Sequence, residues 1–85
     1  MKLKILYFAS LRETLGREQE SLEVPASVST AGELKLWLSQ RDANFAIILS
    51  GQKALRMAIN KRLAQPETLL VDGAEVAFFP PVTGG

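Results

Sequence analysis

Glu75-Val76-Ala77-Phe78-Phe79-Pro80-Pro81-Val82-Thr83-Gly84-Gly85, the last eleven residues of the chain, combine a strand and a stop. Alternation from Glu75 to Phe79 predicts a closing strand with Val76 and Phe78 turned to a core, and Ala77 and Phe79 turned away. Pro80 and Pro81 lack amide hydrogens, so they end the ladder and keep the chain extended. Residues 80–85 therefore read as a projecting tail.

A matching strand is predicted over residues 2–9, with Leu3, Ile5 and Tyr7 on one face and Lys2, Lys4, Leu6 and Phe8 on the other. Ser10-Leu11-Arg12-Glu13 has capping-box spacing and Gly16 is a natural stop, predicting a short helix over 11–15. Leu22 and Val24 alternate with polar residues before Pro25, predicting a strand over 20–24 that pairs with the first. The capping-box spacing recurs at Thr30-Ala31-Gly32-Glu33. Leu34, Trp37 and Leu38 then share one helical face, which places the main helix at 31–40.

The apolar segment 44–49 reads as a short helix, although six residues are few for periodicity to decide. After the turn signal Ser50-Gly51, Leu55, Met57 and Ile59 alternate as a third strand, with Asn60-Lys61 a tight turn and Leu63 beside it. Residues 64–74, with Pro66 and Asp72-Gly73, read as a loop. These elements predict an α+β fold: a mixed sheet with one main helix packed on a single face. If the first and last strands are parallel neighbours, Phe8 and Phe79 lie together on the helix-free face at the root of the tail.

A chain of 85 residues, 47% hydrophobic and 22% charged, suits a single domain over 1–85 with its own core. Its formal charge of +1 provides no basic stripe for nucleic acid. No run approaches the roughly 20 apolar residues of a membrane span, and the apolar run at 5–9 is too short for an export signal, so an uncleaved N-terminus is expected. With no Cys and no His, the chain lacks disulfides, thiolate nucleophiles, Cys/His metal sites and imidazole catalysis. A small domain without such reinforcement suits a reducing interior, so a cytoplasmic location is expected.

The chain end is then the sharpest chemical feature. Two terminal glycines arise by chance in about 0.5% of chains, too often to establish a function alone. Their chemistry is nonetheless specific: without side chains, the terminal carboxylate can enter a narrow site on another protein. That carboxylate is an anion at neutral pH and a poor electrophile, so it needs activation, for example by adenylation. Glu13, Glu18, Glu20 and Glu23 read as solvated surface charge, Lys61 and Arg62 as an ordinary charged turn, and Trp37 as core. Arg12 is divided between surface solvation and an interface salt bridge. Two outward phenylalanines beside a reactive tail, by contrast, suggest a binding patch.

The stretch 72–85, together with Lys4-Ile5-Leu6-Tyr7-Phe8-Ala9-Ser10-Leu11-Arg12-Glu13 and Ala58-Ile59-Asn60, closely resembles the small, sulfur-carrying subunits of molybdopterin synthase. The resemblance implies a ubiquitin-like β-grasp fold and a two-stage cycle. A ubiquitin-activating-enzyme-like adenylyltransferase would use ATP and Mg to adenylate Gly85, and a sulfurtransferase system would convert it to a thiocarboxylate. The tail, with Gly84, Thr83, Val82 and Pro81 as its passage, would then enter the large synthase subunit and give sulfur to cyclic pyranopterin monophosphate. Phe8, Leu63 and Phe79 would make the apolar partner contacts and Arg12 a polar one. No metal or cofactor would be held by the chain itself. Thiamine-type sulfur carriers share the diglycine ending; a ubiquitin-like modifier would form an isopeptide bond from Gly85 to a lysine, and a non-covalent adaptor would carry neither that bond nor a thiocarboxylate.

Overall fold

The computed structural model describes residues 1–50 and 55–80. In β1 (Lys2–Tyr7), Leu3, Ile5 and Tyr7 enter the core while Lys2 and Lys4 stay in solvent. β5 (Glu75–Phe79) repeats the alternation, with Val76 and Phe78 fully buried. The two strands are parallel neighbours, Ile5 opposite Val76 and Tyr7 opposite Phe78. The Asp72-Gly73 turn holds their starts together: Lys2 N donates to Asp72 Oδ1 at 2.7 Å, and Gly73 N donates to Lys2 O at 2.7 Å. Gly73 has a φ of 83°, a conformation that side-chain-bearing residues rarely adopt.

β2 (Gln19–Glu23) pairs antiparallel with β1, and β3 (Arg56–Ile59) antiparallel with β5. The strand β4 (Arg62–Leu63) pairs with β3, giving a mixed sheet in the order β2-β1-β5-β3-β4. Sequence periodicity could not announce β4, because two residues contain no alternation to read. The turn before it is the tight one expected. Asn60 and Lys61 have φ of 49° and 70°, the left-handed pair that a two-residue hairpin requires. Asn60 N donates to Glu75 O at 2.8 Å and Asn60 Oδ1 accepts from Glu75 N at 3.0 Å, which ties this turn to β5.

One face of the sheet is covered by helices. α2 (Ala31–Arg41) begins with the expected capping box: Glu33 N donates to Thr30 Oγ1, and Thr30 N donates to Glu33 Oε1. Its buried residues are Ala31, Leu34 and Leu38, with Trp37 partly buried against the same core. The capping box expected at Ser10 does not form. α1 (Ser10–Leu15) instead starts from Ala9, whose φ is 55°, and has no side-chain cap. The reason is tertiary: Phe8 N is bonded to Phe78 O while Phe8 O accepts from Leu11 N, so the chain turns one residue early and Ser10 falls inside the helix. Gly16 ends α1 in the left-handed conformation, as its position suggested.

The short apolar segment is helical, as expected, in α3 (Ala43–Ser50), and it does more than connect. Its Phe45 is 1% exposed and meets Phe78 edge-on at 5.3 Å, while Tyr7 stacks on Phe78 at 6.2 Å. α3 thus shares with α2 the covering of the sheet. Residues 81–85 lie outside the described residues, and with them the predicted sites at Pro81, Val82, Thr83, Gly84 and Gly85, as does the predicted turn residue Gly51.

Candidate functional site

Because β1 and β5 run parallel in register, their outward side chains form rows on the helix-free face. Leu6 lies opposite Ala77, Ala77 opposite Ala58, and Ala58 opposite Leu63. This row crosses four strands and is apolar throughout. Three inter-strand spacings make it about 14 Å long. One step towards the end of β5, Phe79 lies opposite Arg56, and Phe8 follows β1 beside it with its N–H on Phe78 O at 3.1 Å. Phe8 is 46% exposed and Leu63 63%, whereas Leu6, Ala58, Ala77 and Phe79 are half-buried. An apolar patch of this continuity on a small protein marks an interaction surface.

The structure therefore brings Phe8, Phe79 and Leu63 onto one face. Arg12 stands on α1, exposed, with no ion pair among the described residues. α1 follows directly on Phe8, through the Phe8 carbonyl that accepts from Leu11 N at 3.1 Å. Sequence reasoning named Phe8, Phe79 and Leu63 on this surface and missed its middle, Leu6, Ala58 and Ala77. Their signal was present as outward, apolar positions in three predicted strands, but strand order is needed to join them.

The helix-covered side has a different chemistry at its rim. Tyr7 donates its hydroxyl to Glu20 Oε2 at 2.6 Å, and Arg41 Nη2 reaches the same oxygen at 3.0 Å. Arg17 lies between Glu20, with Nε 3.2 Å from Oε2, and Asp42, to which its Nη2 donates. Glu20 is thus a half-buried structural acid, not the solvated charge the sequence suggested. Burial first, and then the bond to Glu20, push the Tyr7 phenol well above its usual pKa, so it acts as a neutral donor. Burial works against the Asp42 carboxylate. The amides of Asn44 and Phe45 and the Arg17 guanidinium outweigh that cost and hold its pKa below the usual value. Both acids of this rim, Glu20 and Asp42, are engaged in joining β1, β2 and the helices. Among the described residues no group of three or more acids gathers to hold a metal ion, and no helix is long and apolar enough to cross a membrane.

A family profile described as the ThiS family matches residues 5–85. The molybdopterin synthase sulfur carrier subunit of Escherichia coli (strain K12) is 40% identical over 83 residues, covering 98% of this chain and 99% of that one. The subunit of the same name from Haemophilus influenzae is 37% identical over 83 residues, again covering 98% and 99%. Among solved structures, a Pyrococcus furiosus protein described as molybdopterin converting factor, subunit 1, is 30% identical. It superposes with a TM-score of 0.80 over 96% of this chain and 99% of that one. The fold is accordingly the ubiquitin-like β-grasp that the resemblance implied.

Proposed function

The chain belongs to the ThiS family, and from that premise we propose that it is the sulfur carrier subunit of a molybdopterin synthase. The observation that carries the proposal is the adjacency of Phe8 and Phe79 on the helix-free face, at the strand end from which the chain continues six residues to Gly85. An apolar face at that place seats a partner protein and sets the distance from which the diglycine end can reach into it. Phe8, Phe79 and Leu63 supply the apolar contact and Arg12 a peripheral polar one.

The reactive group is the main-chain terminus. The Gly85 carboxylate attacks the α-phosphorus of ATP within an adenylyltransferase that supplies Mg, expelling pyrophosphate and leaving an acyl adenylate. Sulfur at the sulfide level, delivered by a sulfurtransferase system, then displaces AMP and leaves a thiocarboxylate. In the large synthase subunit this sulfur passes to cyclic pyranopterin monophosphate, towards the dithiolene of molybdopterin. Gly84 leaves the passage unobstructed because it has no side chain. Catalytic side chains belong to the partners, in keeping with a chain that has neither Cys nor His. The setting is the cytoplasm, where a domain without disulfides is stable.

Intact-mass analysis of the chain from cells that contain the loading enzymes tests this directly. The expected result is an oxygen-to-sulfur increment that maps to Gly85 and disappears when Gly85 is deleted. A chain recovered from active synthase without that increment would overturn the proposal. An isopeptide adduct between Gly85 and a lysine would assign it to the modifiers instead.

A further inference from the structure

A cleft of about 340 Å³ opens between α2, the start of β3 and residues 63–66, with Lys35, Leu55, Arg56, Leu63 and Pro66 in its lining. It is continuous with the apolar face, since Leu63 ends the apolar row and Arg56 lies opposite Phe79. Two cations share it. Lys35 is half-buried and, among the described residues, donates one hydrogen bond, from Nζ to Leu55 O at 2.8 Å. An ammonium has three donors, so two are left for another acceptor. Among the described residues, neither Lys35 nor Arg56 is paired with a carboxylate; Glu20 and Asp42 are committed to Arg17 and Arg41. Burial lowers the Lys35 pKa below its usual value, a cost that an incoming anion would relieve.

Resting on the sulfur-carrier reading, we propose that this cleft receives an acidic segment of the large synthase subunit. A carboxylate of that segment meets Lys35 and Arg56 while a neighbouring apolar side chain lies on the exposed Leu63 and Pro66. Charge complementarity selects a carboxylate-bearing partner, and continuity with the docking face places it on the protein already seated there. Such a contact at the margin of an apolar interface accelerates association and excludes partners with a basic surface.

The test is association of the full chain with the purified large subunit, followed kinetically at low and high salt. Lys35→Gln combined with Arg56→Gln is compared with Lys2→Gln combined with Lys4→Gln, a pair outside the cleft that removes the same charge. The cleft pair is expected to slow association about tenfold at low salt, with the deficit shrinking at high salt, while the control pair changes it much less. Melting curves are expected to match the parent for both. If the parent binds and the two pairs behave alike, the cleft assignment is wrong. A parent chain that fails to bind the large subunit at all overturns the sulfur-carrier reading as well.

Discussion

Phe78 and Phe79 are consecutive residues of one strand with opposite surroundings. Phe78 is fully buried between Tyr7 and Phe45, whereas Phe79 stands half-buried on the open face opposite Arg56. The two faces of the sheet thus differ: one is closed by helices and holds the domain together, and the other carries an apolar row, bordered by Lys4, Glu75 and Arg56, without a covering layer. An isolated exposed apolar residue is ordinary, but a row from Leu6 to Leu63 with two phenylalanines at its end is a surface with a use.

Truncating each phenylalanine in turn would break that division most sharply. Phe78→Ala is expected to cost about 3–5 kcal/mol of unfolding free energy, a large share of the roughly 5–15 kcal/mol typical of a domain. Phe79→Ala is expected to cost under about 1 kcal/mol of stability but about 2 kcal/mol of binding to the large subunit. Urea unfolding and calorimetric titration of both variants separate the outcomes. Equal losses of stability would show that the two faces are not independent.

A smaller effect concerns the polar rim of the closed face. The Asp42 pKa lies below its ordinary value in the folded chain, so the unfolded chain binds its proton first as pH falls. Its contribution is fully present above the ordinary carboxylate pKa of about 4 and is lost as pH falls through the depressed native value. Asp42→Asn is therefore expected to flatten the acid limb of a stability-against-pH curve; an unchanged slope would remove Asp42 from the rim's stabilisation. The smallest effect belongs to the hairpin that presents Leu63. Lys61 has a φ of 70°, a conformation that costs a side-chain-bearing residue about 1 kcal/mol. Lys61→Gly should raise stability by up to about 1 kcal/mol in urea unfolding, leaving the affinity for the large subunit intact. A drop in stability would mean that the lysine side chain contributes more than its backbone strain costs.

Local patterns were legible in proportion to how local their causes are. The buried faces of β1 and β5 follow from alternation, and the cap at Thr30 follows from groups three residues apart. The same spacing at Ser10 misled because Phe8 is bonded to Phe78, a residue far along the chain, and that bond moves the helix start. Glu20 was misread for the same reason: its partner Tyr7 is 13 positions away and Arg41 is 21. Phe8, Phe79 and Leu63 were named because large apolar side chains stand out, while Ala58 and Ala77 do not.

Alone, the amino-acid order determined which side chains of each strand face inward, where the main helix begins, and that the chain carries neither thiol nor imidazole. Each depends on side-chain identity or on neighbours a few positions away. Only the folded arrangement decided that Leu6, Ala77, Ala58 and Leu63 form one row, that Phe8 joins Phe79, and that Arg56 stands next to them with Lys35 in the adjoining cleft. Hydrogen-bond register between distant segments sets those encounters, because it selects which outward positions of separate strands come to lie opposite one another.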